Sequence, residues 1–182
     1  MLQVTIPDKE LFDNKTQEFF TIKGAKLSLE HSLVSISKWE AKWQKPFLRE
    51  EPMTIAETLD YIKCMTLTQN VDPSVYGIIT PEVLSKVQAY IDNPMTATTF
   101  SEEKKPYIKN SKKKVTSEEI YYWMVALNIP FECQKWHLNR LLTLIRICEI
   151  KSKPPKKMAK KDVYNMYDEL NAKRKAALGT TG

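Results

Sequence analysis

The chain has 182 residues, 42% hydrophobic and 27% charged, so it is long and apolar enough to bury one sizeable core. Only four glycines, against ten prolines, argue against a glycine-rich phosphate loop and against a turn-rich all-β fold. The formal charge of +6 is uneven: residues 1–100 carry ten basic and thirteen acidic side chains, residues 101–182 eighteen and nine.

The first thirty residues alternate with the period of half-buried strands. Leu2, Val4 and Ile6 share one face, and Leu27, Leu29 and His31 share another, with a turn at Asp13-Asn14-Lys15-Thr16 and a second change of direction at Gly24. A small antiparallel sheet of three or four strands is expected, lying against helices because alone it is marginal. From Ser32 the period becomes helical. Ser37 and Glu40 stand at capping-box spacing before Trp43, and Pro46 limits that segment. Thr54 with Glu57 opens a second helix, whose stripe includes Leu59, Ile62, Met65 and Leu67. Thr80 with Pro81 opens a third, carrying Val83, Leu84, Val87, Tyr90 and Ile91 up to Asn93-Pro94.

Residues 95–115 show little periodicity and read as a Lys- and Thr-rich, mobile linker. Thr116 with Glu119 makes a further capping box, with Val115 and Ile120 as its hydrophobic staple, and the helix stops near Asn128-Ile129-Pro130. A long helix follows, in which Trp136, Leu138, Leu141, Leu142, Leu144, Ile145, Ile147 and Cys148 cover well over a third of the circumference. After Lys153-Pro154-Pro155, a last helix carries Val163, Met166, Tyr167 and Leu170 and becomes Ala- and Lys-rich toward Leu178. The expectation is one mainly α domain over 1–182, an α+β fold: an N-terminal sheet over 1–31, a first helical part over 32–94, the linker over 95–115 and C-terminal helices over 116–178. That makes a bundle of about five or six helices with a small N-terminal antiparallel sheet or hairpin.

Little in the chain suggests chemistry. Cys64, Cys133 and Cys148 follow no CxxC spacing and fall in apolar helical patterns, as buried thiols do. Met1–Ile6 lacks a basic leader region, and no apolar run reaches the ~20 residues that cross a bilayer, so a soluble cytoplasmic protein is expected. Cys133 and His137, four apart on an expected helix, lack a second ligand pair for zinc and a third group to orient a nucleophile. His31 reads as the polar edge of a strand face. None of the GxxxxGK, GxGxxG, GxSxG or HExxH patterns occurs, so neither an enzyme nor a cofactor is expected.

The aromatic residues and the lysines carry the remaining signal. Trp39 and Trp43 share a helix face beside Lys38, Lys42 and Lys45, which suits a core stripe under snorkelling lysine stems more than a base-stacking platform. Tyr121, Tyr122 and Trp123 are consecutive, so at least one must face away from the core, toward solvent or a partner. Trp39, Trp43, Tyr122, Trp123, Trp136 and Leu141 are the candidate core or partner-contact residues. Lys112, Lys113, Lys114, Lys156, Lys157, Lys160 and Lys161 form the candidate basic surface, either solvated loops or a phosphate-attracting track. Without arginines for bidentate base contacts, any nucleic-acid binding by that track is expected to be weak and salt-sensitive, and nucleic acid is not the expected partner.

Several runs resemble a family of small, mostly unannotated proteins from tailed bacteriophages of the siphovirus type. They are His31 to Glu40 with Lys45-Pro46-Phe47-Leu48, Asp60 to Met65, Asn93 to Phe100, Glu119 to Cys148, and Lys153 to Met158. The resemblance spans nearly the whole chain and brings no catalytic residues with it. It implies a tail assembly chaperone that binds the tape measure protein, or other tail proteins, in the host cytoplasm, with possible self-association. The alternatives are a structural virion component, such as a connector or tail-completion protein, and a nucleic-acid-binding module.

Overall fold

A computed structural model describes residues 1–15, 17–100, 115–152 and 160–179. The fold is α+β and mainly helical, with six α-helices among the described residues. The chain divides into two units, Met1–Glu149 and Ile150–Gly182.

The first unit opens with four strands: β1 (Leu2–Ile6), β2 (Lys9–Asp13), β3 (Glu18–Ile22) and β4 (Ala25–Leu29). They do not join in one sheet of three or four strands. β1 pairs with β4 and β2 with β3, as two antiparallel ladders that keep one register across the gap, Ile6 opposite Ala25 and Lys9 opposite Ile22. The break falls where Pro7 has no N–H to give and Gly24 turns its own N–H to Asp8 Oδ1 at 2.7 Å. The two backbones approach so closely here that a Cβ on Gly24 would lie 1.9 Å from the Ile6 carbonyl oxygen. On the inner ladder Val4, Ile6, Leu27 and Leu29 are buried, as alternation predicts. The outer edge of β4 is covered by the chain after α2, since Glu30 N–H donates to Met65 O and Leu67 N–H to Ser28 O.

Helix α1 (Leu33–Trp43) starts four residues before the expected Ser37 cap. Ser32 is the N-cap, accepting from Ser35 N–H while the Ser35 hydroxyl accepts from Ser32 N–H. Glu40, expected in that capping box, is buried and accepts from Phe47 N–H and Ser117 N–H, both at 2.7 Å. Helix α2 (Ile55–Met65) has the expected reciprocal Thr54–Glu57 box. A 3-10 helix (Pro73–Ile78) leads to α3 (Pro81–Asp92), which has Pro81 in its first turn.

Helix α4 (Ser117–Ala126) begins at the expected residue, but the Thr116 side chain makes no capping hydrogen bond. The Ser117 N–H is held by Glu40 instead, and the expected staple residues Val115 and Ile120 are both buried. Asn128, with φ of 52°, takes the left-handed turn that ends the helix. The long helix expected after Pro130 is divided: a 3-10 helix (Phe131–Lys135) comes first, and α5 (Leu138–Ser152) starts only after Trp136-His137. Those two residues cannot join α5 because His137 pairs as an isolated bridge with Ser32 and Leu138 N–H donates to His31 O. The core runs from the inner ladder through Trp39, Tyr61, Ile62 and Met65 to Ile120, Met124, Leu138, Leu141 and Ile145.

The second unit is built on α6 (Lys160–Leu178). All of its described side chains, from Tyr164 onward, are exposed. Residues 101–114, most of the expected linker, lie outside the described residues.

Candidate functional site

The candidate contact residues separate into interior and surface. Trp39 is fully buried, its Nε1–H donating to Glu57 O at 3.0 Å. Trp43 stacks on it with ring centroids 6.0 Å apart and donates Nε1–H to Asp60 Oδ2 at 2.9 Å. Neither indole is an open stacking platform. The lysines beside them are drawn to carboxylates: Lys42 pairs with Asp60, and Lys45 with Glu57 at 2.9 Å. Arg49 completes this cluster, 2.8 Å from Glu57 and over the Trp39 ring. The Thr54 N–H, Lys45 and Arg49 hold the Glu57 carboxyl at about 2, below its usual 4.5. Leu141 is also fully buried. Trp136 is half-buried under the Arg140 guanidinium at 4.3 Å.

Helix α4 carries the outward face. Ser117, Ile120 and Met124 turn into the core, with Trp123 half-buried beside them. On the opposite side Glu118, Tyr122, Val125 and Ala126 recur at helical spacing and are all exposed. Tyr122 is 68% exposed and Val125 58% exposed, and Phe131, just past the helix, is 54% exposed. Tyr121 bridges helix and loop, its ring 6.4 Å from Phe131 and its hydroxyl donating to Gln134 Oε1 at 2.9 Å. Of the three consecutive rings, Tyr122 is the outward one. A second apolar patch, unmarked in the sequence reading, lies on the outer ladder, where Phe12 and Phe19 face each other across strands at 5.0 Å and are exposed.

Lys112, Lys113, Lys114, Lys156 and Lys157 lie outside the described residues. Lys160 and Lys161 fall in the first turn of α6, but their side chains are not among those described.

The two histidines, 106 positions apart in the chain, meet in the core with ring centroids 5.0 Å apart. Cys133 and His137 do not share a helix face: Cys133 sits in the second 3-10 helix, and His137 turns to His31 and Tyr90. His31 Nδ1 and the Tyr61 hydroxyl share a hydrogen bond of 2.6 Å, and Tyr61 lies 3.3 Å from the Ser35 hydroxyl. His137 Nε2–H donates to Tyr90 O at 3.0 Å, which leaves Nδ1 to accept from Asn139 N–H at 3.3 Å. That second bond satisfies a free N–H of the first turn of α5, as an N-cap side chain does. Tyr90 in turn donates its hydroxyl to Glu30 Oε1 at 2.6 Å, and the other oxygen of Glu30 meets the N-terminal amine at 2.9 Å.

Burial, and then the neighbouring His137, push the His31 ring down to about 3. His137 is also lowered, chiefly by burial. Both rings are therefore neutral near pH 7. The cluster is enclosed: His31, Ser35, Tyr61 and His137 are all buried, and their polar atoms are turned to one another and to backbone. Its chemistry is to join β4, α1, α2, α3 and the start of α5 through directional bonds. The sequence pattern placed His31 at the polar edge of the strand face that carries Leu27 and Leu29; in the fold it is buried. The pairing with His137 had no sequence signal, because nothing local links positions so far apart.

Among the described residues no group of three or more His, Cys, Asp or Glu side chains is placed to hold a metal ion, and no helix is long and apolar enough to cross a membrane. No family model, curated protein or solved structure matches the chain.

Proposed function

We propose that this chain is a non-enzymatic tail assembly chaperone of a siphovirus-type bacteriophage, binding the tape measure protein in the host cytoplasm while the tail is built. The phage assignment rests on the residue runs quoted above. The observation that carries the binding role is the division of α4 into a face locked in the core and an outward face bearing Tyr122 and Val125. A helix so anchored presents its exposed ring and branched side chain at fixed positions, which lowers the entropy lost when a partner docks. Aromatic anchors on a rigid element are what helix recognition requires. A long helical partner with unpaired apolar stripes is the kind of surface this face complements.

The role calls for no cofactor and no reacting group. The buried histidine cluster serves it by fixing the frame that carries α4 and α5. Co-expression with the tape measure protein, with an affinity tag on this chain, tests the proposal. The long protein is expected in the soluble fraction and in the purified complex. If it stays insoluble and no complex forms, the reading fails.

A further inference from the structure

The outer ladder carries an open edge and an unneutralised acid pair. Among the described residues, β2 makes no backbone hydrogen bond beyond its pairing with β3 except at the hairpin turn, where Asp13 O accepts from Gln17 N–H. A two-stranded hairpin is marginal by itself, and this one is exposed over most of both strands. Along β2, Lys9, Leu11 and Asp13 alternate onto one face, Glu10 and Phe12 onto the other. Asp13 stands directly opposite Glu18 of β3, a cross-strand pair of like charges that works against the ladder. Among the described residues neither carboxylate has an ion pair, and neither does Lys9 at the far end of the same face. Asp13 Oδ1 accepts the Lys15 N–H at 2.8 Å, which holds the turn. On the other face Phe12 and Phe19 pack together, 48% and 70% exposed.

We infer that β2 is a docking strand for a second copy of this chain, pairing edge to edge and antiparallel with that copy's β2 about a twofold axis at Leu11. This register sets Lys9 opposite Asp13 of the second copy, and Asp13 opposite its Lys9, with the two Leu11 side chains between them. Across the joined sheet Glu18 and Asp13 are then followed by a lysine, the cation that the hairpin itself does not bring to them. Moving the axis one residue along β2 loses this match. An axis at Glu10 sets Glu10 against Glu10, and one at Phe12 sets Lys9 against Lys15. A parallel pair in register sets each charge beside its own kind. Charges on an edge usually turn other strands away; here their order admits one partner in one register. On the outer face the two Phe12 rings become diagonal neighbours, so Phe19, Phe12 and their counterparts form one row across the sheet. The contact is isologous and closes at two copies. Five-residue strands give an interface at the weak end, below about 1,200 Å², so a reversible dimer with a dissociation constant on the order of 10–100 µM is expected. The pairing does not depend on the tape-measure proposal.

Sedimentation equilibrium of the full chain, from micromolar to several hundred micromolar, tests it. A species of twice the 21.2 kDa chain mass is expected to grow in with concentration. Lys9→Glu, at an exposed position, is expected to weaken the dimer about tenfold, since both Lys9–Asp13 contacts become repulsive. Asp13→Asn keeps an acceptor for the Lys15 N–H and relieves the clash with Glu18, so it steadies the hairpin yet is expected to weaken the dimer about fivefold. A purely structural role for Asp13 does not give that opposition of signs. Leu11→Cys places one thiol on the axis, where opposed strand positions lie about 4.5–5.5 Å apart, within reach of a disulfide. Mild oxidation is expected to link this variant as a dimer, and not Thr21→Cys on β3. A wild-type chain that stays monomeric overturns the inference, whether β2 lies bare or takes a strand from another protein. So does a dimer indifferent to Lys9→Glu, or a Leu11→Cys variant that links no better than Thr21→Cys.

Discussion

Acidification from pH 7 to pH 5 is expected to weaken the fold mainly through the buried histidines. An unfolded histidine titrates near 6.5, whereas His31 in the fold is held to about 3. Between those values the unfolded chain binds the proton and the folded one does not. Stability therefore falls as pH drops through this window, and is regained as pH rises toward 6.5. Each pH unit costs about 1.4 kcal/mol per fully shifted group, so His31 alone removes about 2 kcal/mol between pH 7 and pH 5. His137 is lowered as well and adds a loss of the same sign. Above pH 5 the Glu57 carboxyl, ordinarily at 4.5 and here at about 2, is mostly ionised in both states, so the histidines dominate this range. The assay is urea unfolding followed by tryptophan fluorescence at pH 7, 6 and 5, on the wild type and on His31→Gln, whose amide still offers Tyr61 a partner. The variant is expected to lose about 2 kcal/mol less than the wild type over that range. A wild type whose stability does not change between pH 7 and pH 5, or a variant with the same pH slope, would refute the argument.

Three further outcomes follow from the core and its ties. Glu57→Gln is expected to lower the melting temperature at pH 7 and to flatten its pH dependence between about 4.5 and 2, where the depressed carboxyl otherwise surrenders its contribution as it protonates. Glu40→Ala is expected to cost about 1–3 kcal/mol, because it strips the acceptor from the Phe47 and Ser117 N–H groups together; chemical denaturation measures it. Leu141→Ala, at a fully buried position, is expected to cost about 2–5 kcal/mol by the same method, against within about 0.5 kcal/mol for Tyr122→Ser on the exposed face of α4.

What could be read from the residues was local. Alternation marked Val4, Ile6, Leu27 and Leu29 as buried, and the Thr54–Glu57 spacing located the start of α2, because period and capping are properties of a few consecutive residues. The Ser37–Glu40 spacing misled. Its acid is taken by Phe47 and by Ser117, the latter 77 positions away, while Ser32 and Ser35 cap the helix with two hydroxyls. The start of α5 was missed for a similar reason: Trp136-His137 fits the helical apolar pattern, but a bridge to Ser32 holds it extended. For the candidate site, consecutive Tyr121-Tyr122-Trp123 required that one ring face outward, and the exposure of Ile120's neighbours decides that it is Tyr122. Hydrophobicity alone cannot make that choice when three successive rings are all large and apolar. The meeting of His31 with His137 depends on the whole tertiary arrangement.

The proposal that the outward face of α4 receives the tape measure protein is tested most directly by Tyr122→Ser with Val125→Ser in the co-expression pull-down. Urea unfolding on the same preparations serves as the control for the fold. The expected result is a variant as stable as the wild type within about 1 kcal/mol that no longer recovers the tape measure protein. Undiminished recovery by an equally stable variant would contradict it.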